Sequence, residues 1–293
     1  YAGGCVVAFM RSHDQWSAKP HARALAGLPL ISITKIGEAA PKPWPKGHRP
    51  LAGIRVLDLS RVIAGPVAGR TLAAHGADVL LISGPELPAI PWLTIDTGRG
   101  KLTSFVELKN EQGRGTLRDL LAEADIFSQG YRPRAIAGLG FSPEDAARIN
   151  PGMIYVTLSA YGAAGPWAER RGFDSLVQTA TGFNHAEGQA AGVDGPKELP
   201  AQMLDHATGY FMAFGAMMAK ARQAREGGSW HVQVSLARTG QWLWNLGRVS
   251  GGLGTRDLTG EMVMPFIEET SSGFGALRSV RHSAVLSKTP AFW

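Results

Sequence analysis

The chain has 293 residues, enough for one large domain or two smaller ones with a sizeable core. Hydrophobic residues make up 44% and charged residues 18%, which excludes intrinsic disorder, a collagen-like chain and a coiled coil. The 30 Lys and Arg exceed the 24 Asp and Glu, and a formal charge of +6 suits an anionic partner. The basic residues are scattered along the chain, so we expect no nucleic-acid partner.

The cysteine content and the hydropathy indicate a cellular location. Cys5 is the only cysteine, so an internal disulfide and a CxxC metal site are excluded. The sequence has no apolar run of about 18 residues, the length that spanning a bilayer requires, and its first residues lack the charged start of a signal peptide. We therefore expect a cytoplasmic protein with no membrane partner. Because the chain starts at Tyr1, inside an apolar segment, we also expect a fragment or a processed product.

The order of apolar runs predicts an α/β fold. Residues 38–50 contain four prolines and predict a linker. A buried strand in IRVLDLS, a helix in VAGRTLAAHG and a second strand in ADVLLIS follow. The alternation continues with a helix over about 113–124, a strand in DIFSQG, a short helix opened by Ser142 and Pro143, and a strand in MIYVTLSAYG. Such strands, apolar on both faces, predict a Rossmann-like parallel sheet with flanking helices.

The longest predicted helix covers about residues 205–225. Apolar residues recur there at spacings of three and four, so we expect their stripe to face the core. The stripe consists of Ala207, Tyr210, Phe211, Phe214, Met217, Met218 and Ala221. Two glycines end the helix, and WHVQVSLA supplies another strand. From about residue 251 the periodicity is lost, which predicts an irregular extension over a neighbouring surface.

The loops after the predicted strands in IRVLDLS, DIFSQG and VTLSAYG are candidates for ligand binding, because a doubly wound sheet binds its ligand beyond the carboxyl ends of its strands. The first, SRVIAGP, contains Ile63 and Ala64 but is not a GxGxxG motif. The second, GYRPR, carries Tyr131 and Arg132, and TGRGK carries Arg99 and Lys101. Arginine and lysine near exposed amides suit phosphate oxygens, but solvated basic loops have the same composition.

Carboxylates at helix starts allow two interpretations. Asp205 opens the long helix, where free N–H groups and the helix dipole favour a carboxylate as an N-cap. The same position also suits a nucleophilic carboxylate in covalent catalysis. Asp174 heads another helix and is equally ambiguous. Residue types alone do not decide between cap and nucleophile.

Other catalytic patterns are absent from the sequence. The histidines His185, His206 and His231 are spaced irregularly and form no HExxH motif, so we expect structural or solvent-facing roles and no metal. A GxSxG nucleophile motif is also absent.

Several motifs in order resemble one family. The segment PLAGIRVLDLSRVIAGPVAGRTLAAHGADVLLIS, then TGRGK with VELK, ADIFSQGYRPRAIAGLGFSPEDAARINPGMIYVTLSAYGAAGP, GFDSLVQTATG, ELPAQMLDHATGYFMAFGAMMA and GGSWHVQVSLA cover about residues 50–240. Together they are similar to the class III CoA-transferases (CaiB/BaiF type), which include formyl-CoA transferase, carnitine CoA-transferase and α-methylacyl-CoA racemase. The resemblance implies the fold of the family's large domain.

The resemblance also implies a reaction and a site. It makes Asp205 a nucleophile that attacks an acyl-CoA thioester, forms a mixed anhydride and then an aspartyl-CoA thioester, and passes CoA to a free carboxylate. Coenzyme A, as acyl-CoA, and a carboxylate are then the substrates, with no metal. The residues it places against CoA are Ile63, Ala64, Arg99, Lys101, Gly130, Tyr131, Arg132 and Tyr161.

Three positions depart from the family pattern. Phe173 stands where the racemases have a proton-transferring histidine, so the resemblance to a racemase or epimerase is weaker. Ile63 and Ser159 stand where formyl-CoA transferase has Gln and Lys, so polar contacts are lost or replaced. The glycine-rich lid of many relatives has only a poor match at 250–254. A non-catalytic half that binds CoA is therefore an alternative to the transferase.

The chain ends predict an unusual organisation. Residues 1–48 resemble the tail of a preceding small domain plus the proline-rich linker, residues 49–248 form the CoA-binding large domain, and residues 249–293 form the irregular C-terminal extension. A small-domain tail ahead of a large domain suggests the second half of a tandem protein. We therefore expect an interlocked homodimer, or a pseudo-dimer with a missing N-terminal half.

Overall fold

A seven-stranded sheet forms the centre of the computed structural model, which describes residues 5–273 and 275–292. The strands in these residues are β1 (Ser32–Gly37), β2 (Arg55–Leu59), β3 (Asp78–Ser83), β4 (Lys101–Phe105), β5 (Ile126–Gln129), β6 (Ile154–Ser159) and β7 (Ser229–Ser235), with β8 (Ile267–Ser272) and β9 (Gly275–Val280) in a separate hairpin. The helices are α1 (His13–Ser17), α2 (Pro20–Ala26), α3 (Ala64–Ala74), α4 (Pro91–Thr97), α5 (Glu111–Glu123), α6 (Pro143–Ile149), α7 (Asp174–Thr181), α8 (Phe183–Ala191), α9 (Met203–Glu226), α10 (Leu236–Asn245) and α11 (Gly260–Val263).

The strand order is β1-β7-β6-β5-β2-β3-β4, and every neighbouring pair is parallel except β1 with β7. The chain runs outward from β2 to β4, returns to β5 on the other side of β2, and continues outward to β7. The connections therefore diverge between β2 and β5, which is the switch point of a doubly wound sheet. The predicted Rossmann-like parallel sheet with flanking helices is confirmed.

Helices cover both faces of the sheet, as its apolar strands require. On one face α3 and α9 pack on a core that includes Val56, Ile154 and Val232. On the other, α5 and α6 pack on a core that includes Leu57 and Phe127. A third cluster joins α1 and α2 to α7 and α10. In the described residues, no helix has the length and hydropathy needed to cross a bilayer.

Local signals set several element bounds correctly. The linker at 38–50 contains no helix or strand, as its prolines predict. Ser142 caps α6 and forms a capping box with Asp145, with Pro143 in the first turn. The sequence analysis gave no helix or strand at β1, α4, β4 and α10. The predicted irregular extension needs one correction, since residues 267–272 and 275–280 pair as the strands β8 and β9.

The predicted core stripe of the long helix is only partly confirmed, since Phe211 and Met217 pack against the core as partly buried residues. Tyr210, Phe214 and Met218 are exposed on α9. The buried face is instead made largely of small residues, among them Gly209, Ala213, Gly215, Ala216 and Ala219. Small side chains let the backbone of α9 approach α3 and the sheet closely, and this close approach takes precedence over the burial of the larger residues.

Gly209 is the tightest point of the α3–α9 contact. A Cβ atom there would lie 2.5 Å from the Ala64 carbonyl oxygen and 2.8 Å from Val67 Cβ. We expect Gly209→Ala to push α3 away and to lower the free energy of unfolding by about 1–3 kcal/mol. Gly115→Ala on α5 is the control, because no described atom lies within 4 Å of its Cβ position, and it should raise stability by up to about 1 kcal/mol. Urea unfolding of both variants checks the difference, and equal stability for the two would contradict the close packing.

Candidate active site

A cavity of about 700 Å³ lies along the carboxyl edge of the sheet, across the switch point. Its walls come from the loops after β2, β3, β4, β5 and β6, and from the starts of α7, α9 and α10. Ligands of doubly wound sheets bind at this edge, and the volume lies in the range of small-molecule sites. The loops after β2, β5 and β6, which the sequence indicated as ligand-binding, therefore meet at this cavity.

Asp205 lies in the wall of this cavity, in the first turn of α9. The helix begins at Met203 after Gln202, so Asp205 is its third residue and not its N-cap. The N-cap interpretation from sequence was therefore wrong. The side chain is largely buried, with 9% of its surface exposed. Burial, reinforced by the nearby charge of Asp174, raises the pKa of the Asp205 carboxyl to about 7.

Asp174 supplies the hydrogen bond that the start of α9 lacks. Gln202 makes no side-chain cap, but Asp174 Oδ2 accepts the backbone N–H of Asp205 over 2.8 Å. Gln178 Nε2 donates to the other carboxylate oxygen over 2.5 Å. Asp174 is buried, and burial raises its pKa although these hydrogen bonds oppose the shift. Two carboxylates thus lie together at the start of α9.

Five of the residues predicted to contact CoA line the same cavity as Asp205: Ile63, Ala64, Gly130, Tyr131 and Arg132. Ile63 precedes α3 and provides no side-chain cap, so the first amides of α3 need other partners. Val62 before it has a φ of 71°, a left-handed conformation that is strained for a β-branched residue. The strained loop sets the direction in which α3 begins.

Lys101 lies outside the cavity. Its Nζ forms an ion pair with Asp58 Oδ2 over 2.8 Å, and both side chains are fully buried. The same Nζ donates to the Pro66 carbonyl over 2.9 Å. Lys101 thus contacts the first turn of α3 without lining the cavity.

Arg99 faces a different cavity, beside the hairpin β8–β9. Its guanidinium donates to Ser279 Oγ over 2.7 Å and pairs with Asp96 over 3.0 Å. The structure therefore does not bring Arg99 together with Asp205.

Tyr161 is buried in the third core cluster rather than in the cavity wall. Its carbonyl accepts a hydrogen bond from His21 Nε2 over 2.8 Å, while His21 Nδ1 accepts the Trp167 N–H over 3.1 Å. Accepting at Nδ1 fixes the neutral tautomer of His21, and burial lowers its pKa. This contact joins α2 to the loop after β6.

The sequence analysis missed several charged residues in the cavity wall. They are Arg61, Glu86, Glu107, Lys109, Arg170 and Arg171. Arg170 and Arg171 lie just before Phe173, and this pair of adjacent arginines ahead of a helix start was a signal that could have been used. Lys109 ends the VELK motif and forms an ion pair with Glu86.

Phe173 lies in the cavity wall, whereas His231 lies outside it. Phe173 lines the same cavity as Asp205 and is 55% exposed, so this part of the wall carries an apolar ring that cannot transfer a proton. His231 is bonded to Thr157 Oγ1 over 2.9 Å, and burial lowers its pKa to about 4. Across residues 5–273 and 275–292, no three His, Cys, Asp or Glu side chains form a group that could hold a metal ion.

Sheet order and cavity position define a doubly wound α/β protein with a carboxylate in the wall of its main cavity. Residues 51–249 match the family model described as CoA-transferase family III. The match covers more than half of the chain, and the chain belongs to this family.

Relatives and solved structures agree with this assignment. An acetyl-coenzyme A transferase of Hypoxylon pulicicidum is 35% identical over 245 residues, which cover 79% of this chain and 41% of that protein. A probable fatty acyl-CoA transferase of Mycobacterium tuberculosis is 33% identical over 201 residues, which cover 64% of this chain and 50% of that protein. A crystal structure of the mycobacterial protein has a TM-score of 0.59 at 31% identity, covering 68% of this chain and 58% of that one. The chain spans about half or less of the length of these curated relatives.

Proposed function

We propose that the chain carries the CoA site and the nucleophile of a CoA-transferase, which moves CoA between an acyl-CoA and a free carboxylate. The observation that carries the proposal is the position of Asp205, a largely buried carboxylate with a raised pKa in the wall of the main cavity. Perturbed carboxylates in clefts are typical of catalytic groups. Family membership supports the same chemistry.

The shape of the cavity supports an elongated substrate. Its wall runs from the loop after β6 to the loop after β4, five neighbouring strands of the sheet. Four intervals of about 4.8 Å give roughly 19 Å, a length that suits an extended CoA molecule. Asp205 lies at the β6 end, so the thioester belongs there and the nucleotide belongs toward β3 and β4.

The charges of the wall support a phosphorylated ligand. Arginine and lysine side chains outnumber the carboxylates: Arg61, Lys109, Arg132, Arg170 and Arg171 stand against Glu86, Glu107 and Asp205. The uncapped start of α3 adds backbone N–H groups beside Ile63 and Ala64. Arg99, Lys101 and Tyr161 lie outside this wall, so any contact of theirs with CoA would require a different arrangement of the chain.

The proposed reaction has two symmetric halves. The Asp205 carboxylate attacks the thioester carbonyl, the C–S bond breaks, and a mixed anhydride and CoA thiolate form. The thiolate then attacks the aspartyl carbonyl, releasing the first acid and leaving an aspartyl-CoA thioester. An incoming carboxylate reverses these steps and leaves as the new acyl-CoA, which restores Asp205. Covalent capture divides one difficult exchange into easier steps.

Mass spectrometry of the folded chain tests this proposal. We expect incubation with a panel of acyl-CoAs to place an adduct on the peptide that holds Asp205, and hydroxylamine to convert that adduct to a hydroxamate. Asp205→Asn should abolish the adduct, because an amide is not a comparable nucleophile. Asp194→Asn, at an exposed position outside the cavity wall, is the matched control and should retain it.

The two possible negative results have different meanings. If the chain binds CoA tightly but no acyl-CoA gives an adduct, the transferase proposal is wrong, and the chain is a CoA-binding half without catalytic activity. An adduct that persists in Asp205→Asn would move the nucleophile to another residue.

A further inference from the structure

We propose that Asp174 is the positioning residue of Asp205: it caps α9 from the neighbouring helix α7 and places its own carboxylate beside that of Asp205. The inference rests on the proposed role of Asp205 as the nucleophile. It assigns a second carboxylate, which contacts no substrate in this scheme, to the control of the first.

The capping geometry is the first support. In an ordinary helix start, the N-cap side chain accepts an N–H from the second or third residue. Gln202 does not do so, and Asp174 accepts the N–H of Asp205, the third residue, over 2.8 Å. This hydrogen bond connects helices α7 and α9, and the two bonded residues are 31 positions apart in the sequence. The backbone of Asp205 is thereby fixed at the cavity wall.

The fixation of Asp174 itself is the second support. Gln178, one turn later on α7, donates to Asp174 Oδ1 over 2.5 Å. The amide oxygen of Gln178 accepts the Leu199 N–H over 3.1 Å, and its nitrogen lies 3.3 Å from the Ala201 carbonyl. The side chains of Asp174 and Gln178 therefore together hold residues 199–205, the segment that leads into α9.

The proximity of two buried carboxylates is the third support. Like charges at close range disfavour ionisation of both, so an ionised Asp174 makes Asp205 a stronger base. A more basic carboxylate is a stronger nucleophile once it is ionised. The N–H groups that Asp174 accepts from the Asp205 backbone and from Gln178 stabilise its ionised form.

Other charged groups surround this pair on the neighbouring elements. His206 follows Asp205 on α9 and favours the ionised form of Asp174 when it is protonated. The remaining groups are Arg70 on α3, Asp96 on α4, and Arg61, Arg132, Arg170 and Arg171 in the cavity wall. They are unchanged in the variants below, so differences between variants report on Asp174.

A double-mutant cycle in urea unfolding tests the inference without any enzyme assay. Wild type, Asp174→Asn, Asp205→Asn and the double variant are compared at pH 5 and pH 8. In the wild-type background, Asp205→Asn should raise the unfolding midpoint more at pH 8 than at pH 5, because the ionised Asp205 is disfavoured in the folded state. In the Asp174→Asn background we expect this pH-dependent gain to shrink to about half or less.

Two controls separate positioning from general stability. Asp145→Asn removes the capping-box carboxylate of α6 and should leave the pH-dependent gain of Asp205→Asn unchanged. Asp174→Ser keeps a neutral acceptor for the Asp205 N–H and serves if Asp174→Asn does not fold. A gain of the same size with and without the Asp174 charge would overturn the inference.

The pH profile of adduct formation gives a second readout. Wild type should form the adduct with a midpoint near pH 7, and Asp174→Asn should shift the midpoint to lower pH by about one unit. A purely structural role for Asp174 would lower the yield without moving the midpoint. Failure of wild type to form any adduct would contradict the proposed function, whereas an unmoved midpoint contradicts this inference alone.

Discussion

Lys101→Met should destabilise the fold by about 3–5 kcal/mol, because it leaves the Asp58 carboxylate buried without its counter-charge. Both side chains of the pair are 0% exposed, and their charged atoms are 2.8 Å apart. Ser60 Oγ donates to the second oxygen of Asp58, so the carboxylate would keep only one hydroxyl partner. Urea unfolding at neutral pH measures the loss.

A second substitution shows whether the unpaired charge causes the loss. Asp58→Asn combined with Lys101→Met removes both charges, so the double variant should be more stable than Lys101→Met alone. The control is Lys109→Met, which breaks the exposed ion pair with Glu86 and should leave the unfolding midpoint unchanged. Equal midpoints for Lys101→Met and wild type would contradict the buried pair.

The ion pair also explains how Lys101 acts on the cavity from outside it. Through Asp58 and the Pro66 carbonyl, Lys101 joins the starts of β4 and α3 to β2. A Cβ at Gly69 would lie 2.4 Å from Asp58 Oδ2, so α3 lies directly against the pair. Loss of Lys101 should therefore also disorder the Ile63 and Ala64 loop. This effect would weaken CoA binding without any contact between Lys101 and CoA.

The core of the fold could be predicted from the sequence because it depends on local patterns. Buried β-branched runs in the central strands, the proline-rich linker and the Ser142 capping box each report their structure within a few residues. The edges could not be predicted in this way. Strand β1 is held by pairing with β7, about 200 residues further along, and its own sequence has little periodicity.

The long helix shows why residue size misled the sequence analysis. Counting large apolar residues assigned Tyr210, Phe214 and Met218 to the core. The structure buries Gly209 and Ala213 instead, since the distance between α9 and α3 admits only small side chains. Stretches of small residues are a weaker signal than aromatic stripes, although here they mark the packed face.

The candidate site was partly predictable for the same reason. Loops that follow adjacent parallel strands must meet at one edge, and Ile63, Gly130 and Asp205 do line one cavity there. The hydrogen bond between Asp174 and the Asp205 backbone could not be predicted from local patterns, because the two residues are 31 positions apart in the sequence. Both residues looked like ordinary caps of their own helices.

Asp205→Asn should stabilise the folded protein, and increasingly so as the pH rises. The pKa of Asp205 is raised from 3.8 to about 7 in the folded state, so the folded protein holds a proton that the unfolded chain has released. The stability that this proton contributes is fully present below pH 3.8 and is lost as the pH rises through 7. The total loss is about 4 kcal/mol, and roughly 3 kcal/mol of it falls between pH 5 and pH 8.

The asparagine side chain does not titrate in this pH range, so Asp205→Asn should not show this pH-dependent loss of stability. Urea unfolding should give wild type and Asp205→Asn similar stabilities near pH 4 and a difference that widens up to about pH 8. Asp194→Asn, at an exposed site, should run parallel to wild type over the same range. Parallel curves for Asp205→Asn and wild type would show that the carboxyl ionises freely in the fold. A difference in stability between the two proteins that widens with pH would mean that the wild-type fold is destabilised by a basic carboxylate at its cavity. A purely structural cap would not require such a carboxylate.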